Sequence, residues 1–247
     1  MRLWLLALLI LTPLCRAGEG EPLRVMTDLW PPFRMEDENG QLQGLDIDLL
    51  AELSRRYGLR FEVERAPWAR GLAALEQGKA DLMTGLARTV ERERYIQYLE
   101  APYYACSPRF YANPALATRL DSYEKLRGLR IGHVLESVYF QRFDGDQQLN
   151  KVGVSNESQL LQMLARGRID VLVGTDCQVD YALLTPELGG HIVKAAYRPE
   201  ARTELYIGFS RQRLERLPQL AAALETLLRE GWVARAARRY QTVVAHQ

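Results

Sequence analysis

The segment LEQGKADLMTG, residues 75–85, recurs in the second half of the chain as LARGRIDVLVG, residues 164–174. The leucine, the first glycine, the basic residue, the aspartate and the final glycine all reappear 89 positions later. Each copy has the pattern of a helix end, a glycine in the left-handed conformation, and a short buried strand. Two such copies predict two lobes with the same topology.

The sequence around the repeat alternates between strand and helix patterns. The first half predicts strands at 23–27, 61–65 and 81–84, and helices at 46–57 and 69–77. The second half predicts strands at 130–133, 151–154 and 171–173, and helices from Ser137, at 159–166 and through Tyr181. This alternation indicates βαβ units with a parallel sheet in each half, and therefore the α/β class.

Two further segments are predicted to cross between the lobes. Residues 103–111 and 204–209 are rich in β-forming residues, and the chain then ends in two predicted helices, 217–229 and 232–240. We therefore assign residues 18–106 together with 203–247 to lobe 1, and residues 107–202 to lobe 2.

The first 17 residues have the layout of a signal peptide. A basic start, Met1-Arg2, precedes twelve largely apolar residues, and the segment ends in Cys15-Arg16-Ala17. The apolar run is shorter than the roughly 20 residues that span a bilayer, so we expect cleavage and export. A lipid anchor on Cys15 is the alternative, but Leu14 stands where such signals need a small residue.

The charge balance and the cysteines narrow the possible functions. The chain has 32 Lys and Arg against 31 Asp and Glu, so no basic excess points to nucleic acid or to an anionic membrane.

Cys106 and Cys177 remain after the signal peptide. An oxidising compartment permits a disulfide between them, but the sequence does not set their separation, and we predict two buried free thiols.

Motifs of common catalytic and metal sites are missing from the sequence. It contains no phosphate-binding GxxxxGK[ST] loop, no G-x-S-x-G nucleophile elbow and no helical pair of metal-binding histidines. His133 ends a predicted strand, and without an evident partner it is interpreted as structural. We expect no metal and no cofactor.

Ligands of open α/β sheets bind at the carboxyl ends of the strands. The two repeat glycines, Gly85 and Gly174, end strands of this kind, so the residues that follow them are the first candidates for a site. Arg92 follows the first and Asp176 follows the second. A guanidinium on one lobe and a carboxylate on the other would suit a zwitterionic ligand.

The order and spacing of the motifs resemble the family 3 periplasmic solute-binding proteins, the receptors of polar amino-acid uptake systems. The resemblance runs from about Leu23 to Tyr240 and includes, besides the repeat, WPPF (30–33), GLDIDL (44–49), TVER (89–92), APYY (101–104), LRGLRIG (126–132) and GFSR (208–211). It implies the two-lobed type II periplasmic-binding fold, with two crossing strands. It also implies hinge closure around a small ligand by a monomer that serves an inner-membrane ABC permease.

The resemblance implies roles for individual residues as well. Arg92 matches the arginine that clamps a ligand α-carboxylate, and Asp176 matches the acid that receives the α-ammonium. Gly85 matches a glycine that offers its carbonyl, and Trp30 and Trp68 match two aromatic positions around the ligand side chain. Ser137 matches the start of a lobe 2 helix whose N–H groups point at the carboxylate.

The sequence departs from the family pattern beside these positions. Ala87 stands where a threonine is frequent, and Glu136 replaces the glycine before the lobe 2 helix. Arg70 and Arg88 add charge near the predicted cleft. Such changes alter polarity and selectivity, so a modified amino acid, a small peptide, an opine or another carboxylate remains an alternative ligand.

Two alternative functions share the same fold. The cyclohexadienyl dehydratases resemble these binding proteins and carry a catalytic glutamate three residues after the position of Asp176. Here that position is Val179, whose side chain cannot transfer a proton, so we expect no enzyme activity. A ligand-sensing receptor that serves no transporter is the second alternative.

Overall fold

The structure is a computed structural model that describes residues 21–185 and 188–245, with side chains placed up to residue 240. The signal-peptide prediction for residues 1–17 lies outside the described residues. The first half of the chain forms β1 (Leu23–Thr27), β2 (Met35–Glu36), β3 (Leu42–Gln43), α1 (Leu45–Tyr57), β4 (Phe61–Arg65), α2 (Trp68–Glu76), β5 (Leu82–Leu86), β6 (Ile96–Tyr98) and β7 (Tyr104–Cys106).

The second half of the chain repeats this alternation and adds two terminal helices. It forms β8 (Pro108–Ala112), α3 (Pro114–Arg119), β9 (Arg130–Val134), α4 (Gln141–Gly145), β10 (Asn150–Val154), α5 (Glu157–Ala165), β11 (Val171–Thr175), α6 (Asp176–Ala182), β12 (Val193–Lys194), β13 (Thr203–Ser210), α7 (Leu217–Arg229) and α8 (Trp232–Ala245). Single turns of 3₁₀ helix lie at Arg92–Arg94 and Tyr123–Leu126. None of the helices in the described ranges is long and apolar enough to cross a membrane.

Two sheets of matching topology organise these elements. The first sheet has the order β4-β1-β5-β13-β6, and the second has the order β10-β9-β11-β8-β12. Three parallel strands lie side by side in each sheet, and an antiparallel strand follows next to them, β13 in the first sheet and β8 in the second. The α/β fold with two similar sheets, predicted from the repeat, is confirmed.

Both glycines inside the repeat have the conformation that their position requires. Gly78 has a φ of 66° and Gly167 a φ of 64°, each one residue after the C-cap of a helix, α2 and α5. A left-handed residue at this point reverses the chain into the next strand, and glycine adopts it without a Cβ clash. This prediction is confirmed.

The repeat aspartates form the same bracket in both sheets. Asp81 accepts a hydrogen bond from the backbone N–H of Arg24 at 2.7 Å, and Asp170 accepts one from the N–H of Arg130 at 2.8 Å. Each carboxylate therefore fastens the start of one strand to its parallel neighbour, β5 to β1 in the first sheet and β11 to β9 in the second. The repeated aspartate has a structural role, which explains why it occurs twice.

The sheets are buried on both faces. In β1, Val25 packs with α1, α7 and α8, whereas its neighbour Met26 packs on the opposite face with α2. In β11, Val171 and Leu172 divide between two apolar clusters in the same way. Parallel strands covered on both faces need continuous apolar sequence, and this is the pattern that the repeat contains.

The predicted crossing at 103–111 consists of two strands, β7 and β8, rather than one. β7 pairs with β13 in antiparallel register, with Cys106 opposite Thr203, and β8 then enters the second sheet. The chain passes from one sheet to the other at Ser107 and returns just before β13. The assignment of residues 18–106 and 203–247 to one lobe and 107–202 to the other stays a prediction.

Cys106 and Cys177 form a disulfide, so the prediction of free thiols is wrong. Their Cα atoms lie 5.7 Å apart, within the range that a disulfide spans. The disulfide joins the end of β7 to the start of α6. This proximity links residues 71 positions apart in sequence, which no local pattern indicates.

The lobe 2 helix predicted from Ser137 begins at Gln141 instead. Glu136 has a φ of 60°, and the N–H of Ser137 donates a hydrogen bond to the Val134 carbonyl at 3.2 Å. A tight turn therefore follows β9, and residues 137–140 lie in neither a helix nor a strand. Ser137 consequently lies in a loop and is not at a helix N-terminus.

Candidate functional site

A cavity lies at the carboxyl ends of strands from both sheets. Its volume is about 80 Å³, measured to the centres of water-sized molecules. This space suits several waters or a small solute. Its walls come from both halves of the chain: Asp28, Leu29, Trp30, Arg34, Trp68, Gly85, Ala87, Arg92, Val134, Ser137, Val138, Tyr139, Asn156, Glu157, Thr175, Thr203 and Leu205.

Six of the nine residues predicted from sequence line this cavity. They are Trp30, Trp68, Gly85, Ala87, Arg92 and Ser137. Arg70, Glu136 and Asp176 are not among its lining residues.

Arg92 connects the two sides of the cavity. It begins the 3₁₀ turn after β5 and is 5% exposed. Its guanidinium donates one hydrogen bond to the Ala87 carbonyl at 3.0 Å and another to the Glu136 carbonyl, which belongs to the turn after β9. The Trp68 ring lies near it, with the guanidinium carbon 6.0 Å from the ring centroid. A cation is thus held where the walls from the two sheets meet.

The two tryptophans form part of the apolar wall. Trp30 stacks on Phe33 with the ring centroids 4.5 Å apart, and Trp68 begins α2. The indole Nε1 of Trp68 is buried and has no hydrogen-bond partner within the described part of the chain. Buried polar atoms are usually hydrogen-bonded, so this N–H is available to a ligand.

Asp28 is fixed at the end of β1 by two backbone N–H groups. One carboxylate oxygen accepts from Leu29 at 2.8 Å, and the other accepts from Trp68 at 3.1 Å. Burial raises the pKa of Asp28, because the charged form loses hydration, although these bonds and the nearby Arg34 and Arg65 oppose the shift.

Arg34 is a cavity residue that the sequence analysis missed. It is 2% exposed and forms an ion pair with the fully buried Asp46. Asp46 also accepts hydrogen bonds from Thr84 at 2.6 Å and from the Tyr103 hydroxyl at 2.8 Å. Burial and the Asp46 charge raise the pKa of Tyr103 well above its ordinary value. The charge of Arg34 is therefore balanced inside the protein.

Gly85 leaves room for Arg34 at the cavity wall. Its φ is 74°, and a Cβ at this position would lie 2.8 Å from a terminal nitrogen of Arg34. A glycine is therefore required here both by backbone conformation and by the close approach of the guanidinium.

Glu157 is another cavity residue that the sequence analysis missed. It begins α5, is 8% exposed, and its Oε2 atom has no hydrogen-bond partner among the described residues. Burial, and then the charge of Asp28, raise the pKa of Glu157 to about 8. Its position just beyond the carboxyl end of β10 was a usable signal, because the same rule led to Arg92 and Asp176.

Asp176 lies outside the cavity, in a separate hollow that Phe33 and Tyr104 also line. One of its carboxylate oxygens accepts hydrogen bonds from the backbone N–H groups of Ser107 and Cys177, both at 2.8 Å. The side chain thus ties the start of α6 to the link between β7 and β8. The prediction that it receives a ligand ammonium has no support in this placement.

The remaining charged candidates also lie away from the cavity. Arg70 is exposed on α2, and Glu136 is exposed and contributes only its backbone carbonyl, as the acceptor for Arg92. Arg88 forms an exposed ion pair with Glu93. These side chains extend toward solvent because a long charged chain loses hydration when it is buried.

The chain belongs to the bacterial extracellular solute-binding proteins, family 3, because the model of that family matches residues 23–243. A putative ABC transporter arginine-binding protein 2 of Escherichia coli (strain K12) is 26% identical over 236 residues, 94% of this chain and 95% of the relative. The L-cystine-binding protein TcyA of Bacillus subtilis (strain 168) is 22% identical over 212 residues, 85% of this chain and 77% of the relative.

A solved structure shares the fold. The amino acid ABC transporter substrate-binding protein AbpA of Streptococcus pneumoniae, bound to L-arginine, superposes with a TM-score of 0.79 at 17% identity. The match covers 93% of this chain and 98% of that chain. The type II periplasmic-binding architecture of the two sheets follows from this likeness.

Proposed function

We propose that the protein captures a small amino-acid-like solute in the cavity between its two sheets. The observation that carries this proposal is Arg92, a buried guanidinium whose hydrogen bonds reach Ala87 on one wall and Glu136 on the other. A planar guanidinium is the side chain best suited to a carboxylate. The relatives named above are described as binding arginine or cystine, which are amino acids.

A ligand carboxylate competes with a backbone carbonyl for Arg92. A carboxylate carries a full negative charge and can accept two parallel N–H bonds from the guanidinium, whereas a backbone carbonyl is neutral and offers one oxygen. The contact with Glu136 is therefore the one that a ligand can replace. Trp30 and Trp68 then contact the ligand side chain, and the free Trp68 N–H offers one further hydrogen bond.

Capture is proposed to proceed by hinge closure. The chain crosses between the sheets at Ser107 and again before β13. A change of backbone angles at these two points moves lobe 1 (residues 18–106 and 203–247) relative to lobe 2 (residues 107–202). Because each lobe supplies part of the cavity wall, a ligand that contacts both favours the closed form.

The cellular role follows the family. Residues 1–17 direct export to the periplasm, and the monomer delivers its solute to an inner-membrane ABC permease. A sensory role is the alternative that uses the same site. Catalysis of the dehydratase kind is not favoured, because Val179 is fully buried and cannot exchange a proton.

A calorimetric screen tests this proposal. L-arginine, L-histidine, L-glutamine and L-cystine are titrated first, followed by opines and small carboxylates. Arg92→Gln is expected to weaken binding at least about tenfold, since a hydrogen bond to a charged group is worth about 1.5–3 kcal/mol. Arg70→Gln is the matched control, because Arg70 is exposed and outside the cavity. Equal affinities for wild type and Arg92→Gln would refute the assignment.

A further inference from the structure

Glu157 is a buried acid on the wall of the cavity. Its side chain lies on the cavity wall, and its Oε2 atom finds no hydrogen-bond donor in the described ranges. A buried carboxylate that lacks a partner is costly, and native proteins keep such groups where a ligand or a reaction uses them. The position of Glu157 on the second-sheet side also places it opposite the loop that holds Asp28.

Asp28 is a second carboxylic acid in the wall of this cavity. Both residues line the same cavity, and the charge of Asp28 helps to raise the pKa of Glu157, so the two carboxyl groups repel each other when both are ionised. A cation placed between two such groups removes this repulsion and supplies each with a donor. The pair therefore has the chemistry of a binding site for a positively charged group.

The described cations around this pair have other partners, including Arg65, which acts on Asp28 and pairs with Glu36. Arg34 pairs with the buried Asp46, and Arg92 donates to backbone carbonyls. On the strands under α5, Lys151 donates to the Phe143 and Asp144 carbonyls, and the His133 ring contacts the Val134 carbonyl. Neither Lys151 nor His133 lines the cavity.

Asp176 is not available for this role. Its Oδ1 atom accepts from two backbone N–H groups, and the residue faces a different hollow. Rotation of the Asp176 side chain toward the cavity would break its hydrogen bonds with the N–H groups of Ser107 and Cys177.

We propose that Glu157, together with Asp28, receives the positively charged group of the solute, and that the solute accordingly carries an ammonium or guanidinium group. This inference rests on the proposed function, because it takes Arg92 as the partner of the ligand carboxylate. Glu157 thereby becomes a specificity-determining residue, and Asp176 becomes a structural one.

Binding of a cation at Glu157 changes the protonation of its carboxyl group. With a pKa of about 8, the Glu157 carboxyl group keeps its proton at neutral pH in the absence of a cation. A bound ammonium stabilises the carboxylate form, so the carboxyl proton leaves to the buffer as the ion pair forms. Binding of a cationic solute is therefore accompanied by the release of up to one proton.

The test compares Glu157→Gln with Asp176→Asn by calorimetry, with L-arginine, L-citrulline and 5-guanidinopentanoate as probes. L-Citrulline lacks the side-chain cation, and 5-guanidinopentanoate lacks the α-ammonium. Glu157→Gln is expected to weaken L-arginine binding at least about tenfold and to abolish the difference in binding heat between phosphate and Tris buffers. Asp176→Asn is expected to stay within about twofold of wild type, because an amide oxygen still accepts from the backbone.

The outcomes separate the two proposals. Loss of binding in Arg92→Gln, with unchanged affinity and proton release in Glu157→Gln, refutes the role of Glu157 and keeps the proposed function. A larger loss in Asp176→Asn than in Glu157→Gln also refutes it. If wild type binds neither these probes nor any solute of the screen that carries a cation, both proposals fail.

Discussion

Arg92 donates a hydrogen bond to the backbone carbonyl of Glu136, across the cavity between the two sheets. Arg92 follows β5 of the first sheet, and Glu136 belongs to the turn after β9 of the second. The donor is the Arg92 guanidinium, the group best suited to a ligand carboxylate, and the acceptor residue Glu136 has a φ of 60°. The contact between the two sheets and the proposed capture of a ligand carboxylate therefore use the same guanidinium.

Replacement of Glu136 by glycine is expected to stabilise the protein. The left-handed conformation costs a residue with a Cβ about 1–2 kcal/mol, and glycine adopts it freely, although glycine loses more entropy on folding. A net gain of about 0.5–1 kcal/mol in the free energy of unfolding is expected, measured by urea denaturation. Glu136→Ala is the control, because alanine keeps the unfavourable φ; a gain in Glu136→Ala as large as in Glu136→Gly would contradict the backbone explanation.

Removal of the disulfide is expected to destabilise the chain. Cys106 and Cys177 close a loop of 71 residues, and a disulfide of this kind stabilises a domain by about 2–4 kcal/mol. The Cys106→Ser, Cys177→Ser double variant should unfold at lower denaturant concentration than oxidised wild type. Dithiothreitol should lower the midpoint of wild type and leave the double variant unchanged. A midpoint of wild type that does not respond to complete reduction would show that the bridge does not contribute.

The stability of the protein without ligand should depend on the protonation of Glu157 as the pH rises from 5 to 9. Its pKa is raised from the ordinary 4.5 to about 8, so the folded state binds more protons than the unfolded state between these values. Stability contributed by the protonated carboxyl is present below pH 4.5 and is lost as the pH rises through 8. Glu157→Gln should remove this loss, so its stability relative to wild type should increase from pH 5 to pH 9.

The difference between the two proteins isolates Glu157 from other titrations. Burial lowers the pKa of His133 below 6.5, and its contribution is lost as the pH falls, in the opposite direction. Denaturation midpoints of both proteins at each pH give the measurement. A constant difference across this range would contradict the raised pKa.

Two glycines with the same conformation should respond differently to alanine. Gly58 and Gly85 have φ values of 65° and 74°, but a Cβ at Gly58 meets nothing within 4 Å, whereas one at Gly85 would lie 2.8 Å from Arg34. Gly58→Ala should cost about 1 kcal/mol of unfolding free energy from the backbone alone. Gly85→Ala should cost at least about 1 kcal/mol more, because a packed guanidinium must move. Equal losses, measured by thermal or urea denaturation, would show that the contact with Arg34 is not limiting.

Most of the fold was predictable from local pattern. The predicted bounds 23–27, 61–65 and 217–229 coincide with β1, β4 and α7, because apolar periodicity and nearby breakers are strong there. The helix predicted from Ser137 was misplaced, since the left-handed conformation of Glu136 is not visible in its residue type. The disulfide was missed because the approach of two cysteines depends on how β7 and α6 pack.

The site was predictable only in part. Arg92, Gly85 and the tryptophans follow strand ends or family motifs, and these positions do line the cavity. Arg34 was not found, because its burial beside Asp46 depends on a contact between separate segments. An arginine in a loop is exposed in most proteins, so residue type alone argued against it.

The sequence by itself determined the two-sheet topology and the place of the cavity, because repeated helix-end glycines and buried strands act through local conformation and burial. Only the tertiary structure decided which acid lines the cavity. Asp176 and Glu157 both lie at the carboxyl end of a strand, but Ser107, 69 residues away in sequence, supplies a backbone N–H to Asp176. No group in the described chain does the same for the Oε2 atom of Glu157. Backbone donors hold Asp176 in a separate hollow, whereas Glu157 lines the cavity and keeps an unpaired carboxyl oxygen within the described chain.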